Sequence, residues 1–147
     1  MEIVLRTKVN GNYKVVMSKF DRDLFLALAP PFPPIELKKF TGSETGDEVH
    51  IRFKAPVNTD WISAITDHGM NEKEAYFVDE GRVLPSPLKT WKHRHIVRHI
   101  NDESCEIIDR IHFGCGNQFV NVLLYPFVLL GFLPRKRIYK RYFKHVN

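Results

Sequence analysis

Hydrophobic and polar residues alternate with a period of two over much of the chain. In residues 1–9, Ile3, Leu5 and Val9 share one side and charged residues occupy the other, which is the pattern of a strand with one face in water. Six later segments show the same alternation between turn residues: 35–40, 48–55, 60–68, 74–80, 90–100 and 105–113. With no helical pattern between them, these six strands predict an antiparallel meander.

Two short helices are predicted after the first strand, in NYKVVMSKF and DRDLFLALA. Asn12 and Asp21 are residue types that cap a first helical turn. The proline run from Pro30 to Pro34 stops the second helix and forces an extended connection.

The C-terminal segment is apolar and then basic, and it predicts a helix from about residue 119 onward. Pro126 and the region 131–134 are expected to kink or split it. The apolar run Phe119–Leu133 is shorter than the roughly 20 residues of a membrane span and contains Asn121 and Pro126. We therefore expect a buried helix, with a helix lying in a membrane interface or a true span as alternatives.

The order of elements is then strand, two short helices, about six strands and one long helix. Such a sheet buries its apolar face by curling around the terminal helix. The sequence predicts one α+β domain over 1–147, with a curved antiparallel sheet of six or seven strands.

Composition agrees with a globular protein, since 44% of residues are hydrophobic, 12% aromatic and 27% charged. The net charge of +5 is local, because six Lys/Arg and no acid follow Pro134. A nucleic-acid interface spreads its basic residues over several elements, so no nucleic-acid partner is expected. The basic end suits a helix C-terminus or a contact with an anionic membrane or partner.

The cysteines give an expectation about compartment. On one extended strand, Cys105 and Cys115 lie about 30 Å apart, too far for a disulfide. Reduced thiols and no recognisable signal peptide predict a cytoplasmic protein.

The segment 90–100 holds three of the seven histidines. Residues two apart share a strand face, so Trp91, His93 and His95 lie together, opposite three lysine and arginine residues. Because fixed charges stay in water, the Trp-His-His face is predicted to point inward. On the following strand the same rule turns Asp109 inward.

A hairpin closing around residues 101–104 places His95 opposite Asp109 or Arg110. A buried carboxylate needs partners, so we predict a buried cluster of His93, His95 and Asp109. Three roles stay open for it: a structural network, recognition of a ligand's polar group, or chemistry with His95 as the base and Asp109 orienting it. H-x-H with Asp109 also offers three metal ligands, but such pairs arise often by chance on strands, so no metal or cofactor is expected.

Four motifs and their order carry a resemblance: LAPPFPP from Leu28, FVDE from Phe77, W-x-H-x-H from Trp91 and D-R-I-H-F from Asp109. The chain resembles the START-like superfamily, also called SRPBCC, which has the helix-grip fold and includes polyketide cyclases and relatives of plant pollen allergens. Small single-domain bacterial members show the most similar motifs. The resemblance covers essentially the whole chain.

The resemblance implies binding of a small hydrophobic or amphipathic molecule between the sheet and the terminal helix, with no catalysis required. Asp79 is expected at a strand edge or at the rim of this pocket. Two alternatives remain: a membrane-surface or protein-interaction module, including self-association, that uses the terminal helix, and a cyclase-like acid–base enzyme. The predicted ligand-binding residues are Phe53, Trp61, Phe77, Trp91, His93, His95, Asp109, Ile111 and Phe113.

Overall fold

The structure, a computed structural model, describes residues 1–146. Within them, seven strands form one antiparallel sheet in the order β1-β7-β6-β5-β4-β3-β2. The strands are β1 (Glu2–Asn10), β2 (Ile35–Phe40), β3 (Glu48–Phe53), β4 (Thr59–Met70), β5 (Glu74–Val83), β6 (Thr90–Asn101) and β7 (Ser104–Gly114). The helices are α1 (Tyr13–Ser18), α2 (Arg22–Leu28), α3 (Gln118–Phe132) and α4 (Arg135–Tyr142). The predicted α+β architecture and element order are confirmed.

The β6–β7 hairpin sets the register on which the site depends. Asn101 pairs with Ser104, so the turn has two residues, whereas a four-residue loop was predicted. The Asn101 side-chain oxygen accepts hydrogen bonds from the Glu103 backbone N–H and the Ser104 hydroxyl, which closes the turn tightly. This register places His95 opposite Asp109, one of the two predicted partners.

Both short helices begin at the predicted caps. The Asn12 side chain accepts from the backbone N–H of Lys14, and that of Asp21 accepts from Leu24 at 3.1 Å. Each cap satisfies an N–H that has no partner within its helix.

The core has two parts on the concave face of the sheet. One lies beneath α1, α2 and α4, and its largest fully buried side chains are Tyr139 and Phe143. The other lies beneath α3 and contains Trp91, Ile111 and Phe113.

The prediction of a buried terminal helix is wrong for α3. Among the described residues, no side chain of α3 is buried. One face packs half-buried on the sheet through Leu124, Val128 and Phe132, while Phe119 and Phe127 on the other face are 70% and 72% exposed. The sheet covers one side of the helix, and no second layer among residues 1–146 covers the other.

Pro126 lies inside α3 without ending it. The helix ends at Phe132 and α4 starts at Arg135, which confirms the predicted split, although Leu133 and Pro134 keep helical backbone angles. Together, Gln118–Tyr142 is long and apolar enough to cross a membrane by length and composition alone.

Candidate functional site

A pocket of about 280 Å³ lies between the sheet, α2 and the C-terminal helices. Most of its wall is apolar, contributed by α2, strands β2 to β5, and α3. One end is polar and is formed by Asp79, His93, His95 and Arg135. Such a pocket, apolar with a few convergent polar groups, has the usual character of a small-molecule site.

Six of the nine predicted ligand-binding residues line this pocket: Phe53, Trp61, Phe77, Trp91, His93 and His95. Asp109, Ile111 and Phe113 are absent from its lining, which corrects their predicted position. They face inward as predicted, but β7 lies next to β1 near one edge of the sheet, where Ile111 and Phe113 pack in the core beneath α3 and Asp109 lies behind the two histidines.

The two inward-facing histidines of β6 and the aspartate opposite them on β7 are buried, as predicted. His93 and Asp109 are each 2% exposed, and His95 is 7% exposed. The His93 Nε2 atom lies 2.9 Å from Asp109 Oδ1. Because that carboxylate accepts hydrogen bonds, Nε2 carries a proton, and the other ring nitrogen, His93 Nδ1, lies 3.7 Å from Asp79 Oδ2.

His95 pairs with Asp79, and this corrects the proposed His95–Asp109 pair. His95 Nε2 lies 2.8 Å from Asp79 Oδ2, whereas His95 Nδ1 is 3.7 Å from Asp109 Oδ1. Asp79 also accepts from the Trp91 indole N–H at 3.2 Å. Asp79 is therefore an inward member of the cluster, where the sequence predicted an edge or rim carboxylate.

The C-terminal helix supplies two further members. The Tyr139 hydroxyl donates to Asp109 Oδ1 at 3.3 Å, and Arg135 Nη1 lies 4.0 Å from the same oxygen. The Arg135 guanidinium also lies over the Phe132 ring, 4.2 Å from its centroid. Together these contacts fix the junction of α3 and α4 against the polar end of the pocket.

Burial and hydrogen-bond partners determine the charge states of Asp79, Asp109 and His95. Although burial opposes ionisation, the hydrogen bond from His93 and the charges around it lower the pKa of Asp109 to about 2. The pKa of Asp79 is also lowered, against its burial, through the hydrogen bond from His95. Burial and the neighbouring His93 lower the pKa of His95 to about 4, so His95 is neutral at pH 7 and donates to an ionised Asp79.

This arrangement limits the acid–base alternative. A base role for His95 would be oriented by Asp79, and its low pKa makes it a weak base at neutral pH. His95 Nδ1 has no hydrogen-bond partner among the described residues.

Three ligand atoms of the cluster converge. One atom each of Asp79, His93 and His95 lies within 4.8 Å of the others, so a metal ion is sterically possible there.

Strand alternation could have placed Asp79 in the cluster, because Asp79 shares a strand face with the inward-facing Phe77. No pattern in the sequence indicates that Arg135 and Tyr139 reach this end of the pocket.

Comparisons with known proteins concern the fold. No protein-family model and no characterised protein sequence matches the chain. Solved structures do match it, and they show that the chain has the helix-grip fold of START-like proteins, as predicted.

Three solved structures illustrate this likeness. Norcoclaurine synthase from Thalictrum flavum, in complex with dopamine and hydroxybenzaldehyde, is 12% identical over 99% of this chain and 87% of its own, with a TM-score of 0.65. The XoxI protein of Bacillus cereus is 14% identical over 98% and 96%, with a TM-score of 0.66. The Zhui aromatase/cyclase of a Streptomyces species is 12% identical over 80% and 69%, with a TM-score of 0.58.

Proposed function

We propose that this protein binds a small amphipathic molecule in the pocket, with the apolar part against the aromatic wall and the polar part at the His93–His95 end. The observation that carries the proposal is the grouping of Asp79, His93, His95 and Arg135 at one end of a pocket whose wall is mostly apolar. The fold supports it, because one structural neighbour holds small aromatic molecules. Catalysis is not required, and a cytoplasmic location is part of the proposal.

The polar end suits orientation of a ligand. Asp79 and Arg135 both line the pocket and present opposite charges. Trp61 and Trp91 meet edge to face with ring centroids 4.8 Å apart, which gives a rigid aromatic surface beside these charges. A flat apolar ligand with one polar group therefore meets complementary surfaces at both of its ends.

The experiment uses the fluorescent dye 1-anilinonaphthalene-8-sulfonate, an amphipathic aromatic anion, with EDTA present. We expect one saturable site in the native protein. Ile51→Trp places an indole into the pocket lining and should abolish this site. The matched control Ile100→Trp lies at an exposed position and should retain it.

The exposed apolar face of α3 could also take up the dye, so Phe127→Ser serves as a second variant. Dye binding that persists in Ile51→Trp and is lost in Phe127→Ser would refute the pocket proposal. Extraction of the purified protein, followed by mass spectrometry, then asks whether a compound co-purifies with the native protein and not with Ile51→Trp.

A second candidate function rests on the outer face of the C-terminal helices. Exposed residues recur every three or four positions along one stripe. The apolar part, Phe119 to Leu133, is followed on the same face by Arg137 and Lys140, and Lys144 lies just beyond the end of α4. An apolar face that continues into a basic one is typical of a helix that binds an anionic membrane surface.

Flotation with vesicles of phosphatidylserine and phosphatidylcholine tests this function. We expect binding that weakens with salt and is lost in Phe119→Ser/Phe127→Ser. If the protein stays unbound and sediments as a dimer that the same double substitution dissociates, the stripe is a self-association surface instead.

A further inference from the structure

We propose that Asp79, His93 and His95 form a binding site for a divalent first-row transition-metal ion, with zinc as the reference ion. This inference goes beyond ligand binding and does not depend on it. The three ligand atoms converge within 4.8 Å at the polar end of the pocket.

The distances are close to those of a metal centre. His95 Nε2 and Asp79 Oδ2 are 2.8 Å apart, and His93 Nδ1 lies 3.7 Å from the same oxygen. Two ligands bound to one zinc ion at about 2.0–2.2 Å stand roughly 3.3 Å apart. The ion therefore takes the place of the proton between His95 and Asp79 after shifts of about half an ångström in these two distances, while the two histidine nitrogens, within 4.8 Å of each other, move together by up to about 1.5 Å.

The outer partners suit this ligand set. Asp109 accepts the Nε2 proton of His93 at 2.9 Å, which leaves Nδ1, the nitrogen that faces Asp79, as the atom that would ligate the ion. A carboxylate behind a ligating histidine is the usual outer support of a zinc site. Tyr139 and Arg135 hold Asp109 in turn.

The second nitrogen of His95, Nδ1, is buried without a partner among the described residues. When Nε2 ligates the ion, the ring proton moves to Nδ1, which lies 3.7 Å from Asp109 Oδ1. The unpartnered atom then gains an acceptor within a small side-chain movement.

Charge favours a cation as well. The cluster contains two carboxylates, Asp79 and Asp109, and one arginine, Arg135, which lies 4.0 Å from Asp109. Two histidines and one carboxylate fill three positions, and those three residues line the pocket, so the remaining positions face the space where a ligand's oxygen or nitrogen would bind. Such open sites are typical of zinc or ferrous iron in proteins.

The test titrates untagged, EDTA-treated protein with zinc chloride by calorimetry, without any organic ligand. We expect one zinc ion per chain. Asp79→Asn and His93→Gln should each weaken zinc binding by about 100-fold or more, and Asp109→Asn by about 10- to 100-fold through its effect on His93. The control His112→Gln, an exposed histidine on β7, should leave the affinity unchanged.

A second measurement needs no variant, so it stands even if a buried substitution prevents folding. Nitrogen-15 spectra of the imidazole rings should show zinc-dependent shifts at His93 Nδ1 and His95 Nε2, with the proton of His95 on Nδ1. Three results would overturn the proposal: no saturable binding up to about 1 mM zinc, shifts confined to other histidines, or affinity lost only in His112→Gln. Dye binding is measured in EDTA, so a protein that does not bind zinc can still bind the dye in the pocket. A protein that does not bind the dye can likewise still bind zinc.

Discussion

His95 is the residue whose surroundings are most unusual. Its ring is stacked on Phe77 with centroids 4.2 Å apart, its centroid lies 3.6 Å from that of His93, and one nitrogen pairs with Asp79. Water reaches little of the ring, so the charged imidazolium loses hydration that one carboxylate does not replace. The neutral ring is therefore the form that the fold stabilises.

This neutral state predicts a loss of stability in mild acid for the metal-free protein. The unfolded chain takes up a proton at His95 near pH 6.5, whereas the folded chain does so only at a pKa of about 4. Stability therefore falls as the pH drops from 6.5 to 4, by about 3 kcal/mol from this residue. Urea unfolding in EDTA between pH 7 and pH 4 measures the change.

The matched variant is His95→Gln, which keeps a side-chain donor for Asp79 and does not titrate. Its stability should depend less on pH over this window, while His112→Gln should behave like the native protein. An unchanged pH dependence in His95→Gln would show that other groups cause the acid sensitivity.

Cys105 provides a second prediction at this scale. It is fully buried, and burial raises its pKa to about 12, so almost no reactive thiolate exists at pH 8. Iodoacetamide should label Cys105 at least about 1,000-fold more slowly than a free thiol in the folded protein, and at the ordinary rate in guanidinium chloride. Peptide mass spectrometry gives both rates, and fast labelling of the native protein would contradict the buried position.

At the scale of elements, α3 has two faces with different roles. Phe132 packs beside Trp91, with centroids 5.8 Å apart, and beside His93 at 5.3 Å, so it closes the pocket near its polar end. Phe127 extends into solvent. Local sequence periodicity could not separate these faces, because nearly every position of the helix is apolar.

The same substitution at these two positions should therefore have unequal effects. Phe132→Ala removes a ring from the packed face and should cost about 2–4 kcal/mol of unfolding free energy. Phe127→Ala removes an exposed ring and should change stability by less than about 0.5 kcal/mol. Chemical denaturation of both variants measures the difference, and equal losses would show that the outer face of α3 is covered in solution.

At the scale of the whole molecule, one sheet joins both parts of the core. β1 pairs with β7, from Glu2–His112 to Asn10–Ser104, so the N-terminal strand closes against the last one. β6 and β7 run beneath both clusters and carry Trp91 and Ile111 in one and Val97 and Ile107 in the other. Because the two hydrophobic clusters share these strands, neither cluster can keep its packing if the other unfolds.

This continuity predicts a single cooperative unit, as the prediction of one domain from the sequence also does. Fluorescence of Trp61 and Trp91 reports on the part beneath α3, whereas far-ultraviolet circular dichroism reports on all strands. Guanidinium denaturation curves from the two signals should coincide. Two separate midpoints would mean that the cluster beneath α3 unfolds independently.

Sequence alone determined the features that depend on neighbours along the chain. Strand alternation fixed the inward face of Trp91, His93 and His95, and the hairpin placed Asp109 opposite His95 to within one residue. Asn12 and Asp21 identified the helix starts, because a cap acts within three residues. Periodicity and order were therefore sufficient for the fold class and for half of the polar cluster.

Tertiary structure decided what depends on distant segments. The choice of Asp79 as the partner of His95 required the β5–β6 register, and the arrival of Arg135 and Tyr139 required the path of the C-terminal helix over the sheet. Whether α3 is buried depends on how many layers surround it, which no local pattern encodes. A side chain's direction is set by its own strand, whereas its partners are set by packing between elements far apart in sequence.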